Sequence, residues 1–114
     1  MNDVSIVGAG MTDFGELWED SYRELAVKAG LKAVDDSDIK LDDIDSLYVG
    51  TMSPGQWIDQ EHVGPLIADY LGLKGVKTVR TESACASSSM AFHQAVKEIQ
   101  SGTIDTALVL GVEK

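Results

Sequence analysis

The sequence predicts an α/β fold in which a layered, largely parallel sheet carries helices on both faces. Short apolar runs of strand length alternate with amphipathic segments of helix length, in the order β-α-β-α-β-α-β. Glycine, proline or acidic turns separate these segments. Parallel strands need crossover connections about as long as a helix, and each intervening segment supplies one.

The first unit is a strand followed by a helix. Residues 4–7 read Val-Ser-Ile-Val and are closed by Gly8, a pattern that predicts a buried strand. Farther along, Ser21 and Glu24 have the spacing of a capping box, in which each residue satisfies a free amide of the other. A helix is therefore expected from Ser21 to about Asp35.

The second unit is again a strand and a helix. Residues 46–51 predict a strand, and 52–60 an irregular loop. A helix is expected over 61–71, with Pro65 tolerated only in its first turn. Gly72 is a natural C-cap because glycine readily adopts a positive φ.

The third unit ends with a last strand. Residues 76–81 predict a strand, 86–101 a helix, and 106–112, Thr-Ala-Leu-Val-Leu-Gly-Val, a further strand. A buried parallel strand so close to Lys114 leads us to expect that the domain is interrupted there.

Composition limits the possible functions. The 114 residues are 44% apolar, so a packed core is expected. A net charge of −10 argues against nucleic acid or an anionic membrane as a partner. The sequence begins without a basic region followed by a long apolar run and has no apolar run of about 20 residues, so we expect neither a signal peptide nor a spanning helix. One cysteine and two histidines predict neither a disulfide nor a metal site, and together these features predict a cytoplasmic protein.

Two other patterns have plain structural explanations. Gly8-Ala9-Gly10 follows a predicted strand, but Asp13 replaces the third glycine of a dinucleotide fingerprint, so a simple turn is favoured. The aspartates of residues 35–45 lack the glycine and closing glutamate of a calcium loop, so a solvated acidic turn is expected.

Cys85, the single cysteine, is the candidate catalytic residue. It lies between the strand predicted at 76–81 and the helix predicted at 86–101, among alanines and serines. Sites in parallel sheets gather where strands end, and a helix N-terminus favours a thiolate and offers amides to an oxyanion. A buried, inert cysteine is the alternative. The position favours the nucleophile.

The residues around Cys85 carry a family resemblance. Residues 82–87, Glu-Ser-Ala-Cys-Ala-Ser, resemble the acyl-accepting motif of the thiolases, in the branch of archaeal acetoacetyl-CoA and sterol-carrier-protein-type thiolases. Residues 6–15, 45–50 and 108–114 resemble that branch's opening strand, second strand and Gly-Val-Glu-Lys segment. The resemblance covers residues 1–114 and implies a β-α-β-α-β-α-β segment of the thiolase fold.

The resemblance implies acyl transfer between coenzyme A thioesters. In a thiolase a cysteine accepts an acetyl group, and the enolate of a second acetyl-CoA attacks it to give acetoacetyl-CoA; thiolysis is the reverse. Cys85 would be the acylated nucleophile and a backbone oxyanion donor. Acetyl-CoA or another acyl-CoA would be the substrate, and no separate cofactor is implied. The residues that bind coenzyme A stay unknown.

Several thiolase parts have no counterpart in residues 1–114. The Gly-His-Pro motif with the base and the Cys-x-Gly motif with the second cysteine are absent, and so are the loop and C-terminal domains. We therefore expect a partial N-terminal domain that works with a C-terminal thiolase polypeptide, or, alternatively, a non-catalytic assembly or binding module. Ser88 also departs from the family, which often has glycine there.

Neither histidine is a good substitute base. His93 lies eight residues beyond Cys85 along a predicted helix, about 12 Å at 1.5 Å per residue. His62 is expected to be a surface or cap residue.

The resemblance also implies a homo-oligomer. Thiolases are dimers or tetramers, and the strand before the nucleophile commonly meets its twin across a two-fold axis. Residues 76–81 would form that edge here, because an unpaired strand edge attracts a partner.

Overall fold

Three parallel strands and four α-helices make up the protein in a computed structural model, which describes residues 2–114. The helices are α1 (Tyr22–Asp36), α2 (Pro54–Ile58), α3 (Val63–Leu71) and α4 (Ser87–Gln100). The strands are β1 (Ser46–Gly50), β2 (Lys77–Thr81) and β3 (Ala107–Gly111), in the spatial order β2-β1-β3. A 3-10 turn covers Leu41–Asp43.

The sheet has helices on both faces, as predicted. The larger core cluster joins α1 and α3 to one face, and a smaller cluster packs Ala91 and Ala95 of α4 against Tyr48 on the other. All five residues of central β1 are buried, which explains its nearly continuous apolar sequence. Within residues 2–114, no helix combines the length and hydrophobicity needed to cross a membrane.

Local signals in the sequence place most element ends correctly. The Ser21–Glu24 capping box is present, with Ser21 as N-cap of α1. Pro65 is the third residue of α3, inside the first turn, where no helical hydrogen bond needs its missing amide. Gly72 ends α3 with a φ of 81°, a left-handed conformation that glycine adopts without strain.

The strand predicted at residues 4–7 is not formed, and this prediction is wrong. Residues 2–13 have no regular secondary structure, and Ile6 is 73% exposed. The apolar sequence is compatible with a strand, but residues 4–7 pair with no strand within residues 2–114. A strand gains its stability from pairing, so strand propensity alone does not form one.

The loop predicted at residues 52–60 is partly helical. Pro54 is the first residue of α2, where its fixed φ suits a helix start. Asp59 ends α2 with a φ of 54°. Five residues are too few to produce a helical period in the sequence, and this explains why α2 was not predicted.

Candidate active site

The three parallel strands end together, and the loops that follow them share one edge of the sheet. Gly50, Thr81 and Gly111 are aligned in the register of β1 with its two neighbours. Thr51 and Met52 follow β1, the Cys85 loop (residues 82–86) follows β2, and Val112 and Glu113 follow β3. This carboxyl edge is where parallel α/β sheets build their sites.

Cys85 is exposed and lies in the Cys85 loop, between the end of β2 and the start of α4. Ala84, immediately before it, has a φ of 49°, a left-handed conformation that alanine rarely adopts. Such strain persists only where the surrounding structure enforces it, and it is often found at functional sites. The sharp turn leaves the thiol at the surface, so the alternative of a buried cysteine is wrong.

Ser87 holds the Cys85 loop in this turn. Its side chain is buried; the hydroxyl oxygen accepts the amide of Ser83 at 2.9 Å, and the hydroxyl donates to the carbonyl of Ala84 at 2.7 Å. The Thr81 hydroxyl donates to the Ser87 carbonyl at 2.8 Å. The Glu82 carboxylate accepts the amide of Ala84 at 2.6 Å. These four bonds close the loop on both sides of Cys85.

The start of α4 has no side-chain cap. Its N-cap, Ala86, has no side chain that could bond the amides of the first turn. The amides of Ala86 and Ser87 donate instead to the carbonyls of Ser83 and Ala84, at 2.9 and 3.2 Å. The amide of Cys85 has no backbone acceptor within residues 2–114, so this donor could bind a developing oxyanion beside the thiol.

Two glycines let α4 begin close to the sheet. A Cβ on Gly50 would lie 2.5 Å from the Cα of Ser88, and a Cβ on Gly111 would lie 2.1 Å from the Ser88 hydroxyl. Because Gly50 and Gly111 have no side chains, the strands leave room for the Ser88 side chain. A glycine at position 88 is therefore not needed for this close approach.

Met52 is fixed at both of its peptide groups. Its amide donates to Glu113 Oε1 at 2.6 Å, and its carbonyl accepts from Arg80 Nη2 at 2.7 Å. Arg80 also binds Glu61 at 3.1 Å, and the Glu61 side chain packs over Gly55. Residues from all three strand ends thus hold the loop that follows β1 beside the Cys85 loop.

A buried polar pair lies beneath this edge. The hydroxyls of Tyr22 and Thr51 are both buried and lack a hydrogen bond of good geometry. Burial raises the pKa of Tyr22 above its usual value; the nearby Thr51 hydroxyl lowers it, and the Glu113 carboxylate raises it further. Tyr22 therefore remains a neutral phenol at physiological pH.

The two histidines are not part of the Cys85 loop. His93 is exposed on α4, seven positions into the helix, and His62 is the residue before α3, with a φ of 56°. The hydrogen bonds that fix the loop involve neither of them. Within residues 2–114, no three His, Cys, Asp or Glu side chains are grouped as a metal site requires.

The sequence predicts the place of Cys85 between a strand and a helix, but not the residues that hold its surroundings. Ser87 carries a local signal that this prediction does not use, because a serine beside a turn readily hydrogen-bonds the neighbouring backbone. Arg80, Glu61 and Glu113 are far apart in the sequence and meet only at the sheet edge. No local pattern could have identified these long-range contacts.

Comparison with known proteins identifies a family model that matches nearly the whole chain. Residues 4–114 match the family model described as thiolase, N-terminal domain. The chain is 53% identical over its whole length to the acetyl-CoA acetyltransferase of Methanocaldococcus jannaschii and 43% identical to that of Methanothermobacter thermautotrophicus. It spans only 29% and 30% of the lengths of these relatives. Human sterol carrier protein 2 is 33% identical over 97% of the chain, which spans 20% of it.

Two solved structures share the fold, each with a TM-score of 0.73. The acetyl-CoA acetyltransferase of Syntrophomonas wolfei is 20% identical over 90% of this chain, which covers 26% of it. The 3-oxoacyl-[acyl-carrier-protein] synthase III of Aquifex aeolicus is 24% identical over 82% of this chain, which covers 30% of it. At these identities the likeness establishes the fold alone.

Proposed function

The chain belongs to the thiolase family, and from this we propose that it supplies the acyl-accepting cysteine of an acetyl-CoA acetyltransferase. Two relatives with that name are 53% and 43% identical to it over all 114 residues. The observation that carries the proposal is the exposure of Cys85 before an uncapped helix N-terminus.

Cys85 acts as the nucleophile in the first half of the reaction. Its thiolate attacks the carbonyl of acetyl-CoA, the carbon–sulfur bond to coenzyme A breaks, and coenzyme A leaves as a thiolate while Cys85 becomes an acetyl thioester. The amide of Cys85, which has no backbone acceptor within residues 2–114, stabilises the negative oxygen that forms during this attack.

The second half forms a carbon–carbon bond. The enolate of another acetyl-CoA attacks the acetyl carbon on Cys85, the bond to sulfur breaks, and acetoacetyl-CoA leaves with the thiolate regenerated. Thiolysis runs the same steps backwards. The histidine base and the second cysteine that the family uses are supplied from outside residues 1–114, by a C-terminal thiolase polypeptide. The coenzyme A thioester is the substrate, with no further cofactor, in the cytoplasm.

The proposal includes a homo-oligomer that uses the free edge of β2. Among residues 2–114 this strand pairs with β1 alone, and its other edge keeps unpaired backbone groups there. Residues 77–81 are only partly buried, which suits a contact with a second copy. Analytical ultracentrifugation at micromolar concentration measures the mass of the particle. A mass equal to that of one chain would contradict the proposed homo-oligomer.

The acylation step can be tested by intact mass spectrometry. The test uses a chimera in which residues 1–114 replace the matched part of the Methanocaldococcus relative. This chimera is mixed with acetyl-CoA and quenched in acid. We expect one acetyl adduct in the chimera and none in its Cys85→Ser variant. The Cys85→Ser variant is the matched control because serine keeps the size and the backbone of the site.

An adduct of equal yield in the Cys85→Ser variant would contradict the role of Cys85. No adduct in either protein, with both folded by circular dichroism, would contradict acyl transfer and favour a non-catalytic binding module.

A further inference from the structure

The direction of the Met52 side chain follows from the alternation of side chains along β1. Successive side chains of a strand point to opposite faces of the sheet. Tyr48 packs on α4, and a Cβ on Gly50 would lie 2.5 Å from the backbone of α4, so both positions face that helix. Thr51 faces the other side, where its hydroxyl lies near that of Tyr22. The side chain of Met52 therefore points to the face that carries α4.

The alternation extends to Met52 because the backbone keeps the hydrogen bonds of a central strand. The amide of Thr51 donates to the carbonyl of Thr81 in β2 at 3.2 Å. The next amide, that of Met52, points the other way and donates to Glu113, just after β3, at 2.6 Å. Amides that alternate between two neighbouring strands are typical of a strand inside a sheet. The chain therefore keeps its strand direction past Gly50, as far as the Met52 amide.

Met52 and Cys85 both lie past the strand ends on the α4 face of the sheet. The backbone of Ser88 in α4 contacts Gly50. Two residues of extended chain, from Gly50 to Met52, advance about 6.6 Å beyond that contact. Because β2 and β3 are parallel, α4 runs back against the strands, so the three residues from Ser88 to Cys85 advance in the same direction. Met52 is 38% exposed there, and Cys85 is exposed as well.

Charged side chains fix the backbone of Met52 on both sides. Glu113 Oε1 accepts its amide, and Arg80 Nη2 donates to its carbonyl at 2.7 Å. Glu61 in turn binds Arg80 at 3.1 Å. A methionine side chain is flexible and adapts to its surroundings. It can limit the size of a neighbouring space only if its backbone is fixed, and these bonds fix it.

We propose that Met52 forms one wall of the acyl pocket beside Cys85 and restricts the pocket to short acyl chains. Acetyl and propionyl thioesters fit within this wall, and longer chains collide with the methionine. Arg80 and Glu113 are positioning residues, because they act through the backbone of Met52. The proposal rests on the acyl transfer proposed for Cys85, and it assigns the limit on chain length to a residue outside the Cys85 loop.

Trimming Met52 in the chimera tests the wall. The parent chimera and its Met52→Ala variant are each mixed with equal amounts of acetyl-CoA and hexanoyl-CoA, and the two adducts on Cys85 are measured by quenched-flow mass spectrometry. We expect Met52→Ala to raise the ratio of the hexanoyl to the acetyl rate at least about tenfold, because a single methylene group in a pocket can change discrimination by that factor. Met90→Ala trims an exposed methionine of α4 and is the matched control, with an unchanged ratio.

A larger side chain should have the opposite effect. We expect Met52→Trp to lower the ratio of the propionyl to the acetyl rate at least about tenfold. Each ratio compares two substrates in one sample, so a partial loss of folded protein does not change it. Equal ratios in the parent and both Met52 variants, with Cys85 still acetylated, would overturn the wall and leave acyl transfer intact. No adduct on Cys85 in the parent chimera would overturn both.

Substitution of Arg80 tests the positioning. Arg80→Met removes the donor to the Met52 carbonyl, and we expect it to raise the hexanoyl-to-acetyl ratio by about three- to tenfold, the worth of one hydrogen bond. Arg80→Lys keeps a donor and should restore most of the discrimination. A merely structural role would lower both rates equally, so an unchanged ratio in Arg80→Met would overturn the positioning role of Arg80.

Discussion

The Cys85 loop is more firmly held by hydrogen bonds than its sequence suggests, and the N-terminal segment 4–10 is less firmly held. The loop, Glu-Ser-Ala-Cys-Ala, has the composition of an irregular surface turn, yet hydrogen bonds fix it on both sides of the cysteine. The segment has the composition of a buried strand, yet it forms none, and its backbone is bonded only near its ends.

The difference shows that each segment forms a regular or fixed structure only where hydrogen-bonding partners are available to it. Every group that fixes the Cys85 loop comes from residues 81–87, so the loop carries its own partners. Residues 4–7 need another strand beside them, and none lies there within residues 2–114. Strand propensity describes how well a residue suits a sheet and cannot supply the sheet.

Truncating an isoleucine of the main core and one of the segment 4–10 should give the largest contrast. Ile67 of α3 is fully buried in the main core, whereas Ile6 is 73% exposed. We expect Ile67→Ala to lower the free energy of unfolding of the 114-residue chain by about 2–5 kcal/mol, through lost burial and a cavity. The matched Ile6→Ala should change it by less than about 0.5 kcal/mol. Urea unfolding measures both, and equal losses would mean that the segment is packed as a strand.

A methyl group on Gly50 should disturb the start of α4. Its Cβ would meet backbone atoms of Ser87 and Ser88 at 2.5–2.6 Å, so the helix must move. We expect Gly50→Ala to lower the unfolding free energy by about 1–3 kcal/mol, measured by urea unfolding.

Ser88→Gly distinguishes backbone from side-chain crowding at this contact. It should rescue Gly111→Ala, whose Cβ meets only the Ser88 side chain, and should not rescue Gly50→Ala. Rescue of both variants would show that α4 is not held by backbone contact with β1.

Removing the Ser87 hydroxyl should loosen the Cys85 loop. Ser87→Ala leaves the amide of Ser83 without its acceptor and removes one of the two donors to the carbonyl of Ala84, and we expect a loss of about 1–2 kcal/mol in unfolding free energy. In the chimera, acetylation of Cys85 should also slow, followed by quenched-flow mass spectrometry. Ser89→Ala, which changes an exposed serine in the same first turn, is the control. An unchanged acetylation rate would show that Ser87 does not position the nucleophile.

The ion pair at the other end of α4 should have the smallest effect. Glu98 contacts Lys77 of β2, and this lysine is the main cause of the lowered pKa of Glu98. A lowered acid pKa stabilises the fold above the unfolded value of 4.5, and this stability is lost as the pH falls through the folded pKa. Because the pair is partly exposed, Glu98→Gln should cost only a few tenths of a kcal/mol at pH 7.

The pH dependence of that small effect is its test. Thermal melts of the parent and of Glu98→Gln should differ at pH 7, and the difference should shrink as the pH falls through the lowered pKa of Glu98. A difference that does not change with pH would assign the loss to packing and not to charge.

Local physics accounts for what could be predicted from the sequence. The capping box at Ser21, the left-handed Gly72 and the tolerated Pro65 each depend on a few neighbouring residues, and all three are found in the structure. The surface position of Cys85 followed from the strand and helix on either side of it. The Cys85 loop was therefore predictable in place, although its hydrogen bonds were not.

Non-local contacts account for the rest. Arg80 and Glu113 bind the peptide groups of Met52 where the three strands end, although they lie 28 and 61 residues from Met52 in the sequence. The missing strand at residues 4–7 also depends on a non-local contact. Its sequence suits a strand, but no pairing strand lies beside it among residues 2–114.

Peptide mapping of the chimera after a brief exposure to isotopically labelled acetyl-CoA tests the central claim most directly. A thioester is cleaved by neutral hydroxylamine, whereas an acetylated lysine is not, so the two products can be separated. We predict that the label lies on Cys85 and is released by hydroxylamine. Label confined to hydroxylamine-stable lysines, in a chimera that still forms acetoacetyl-CoA, would contradict the claim that Cys85 carries the acyl group.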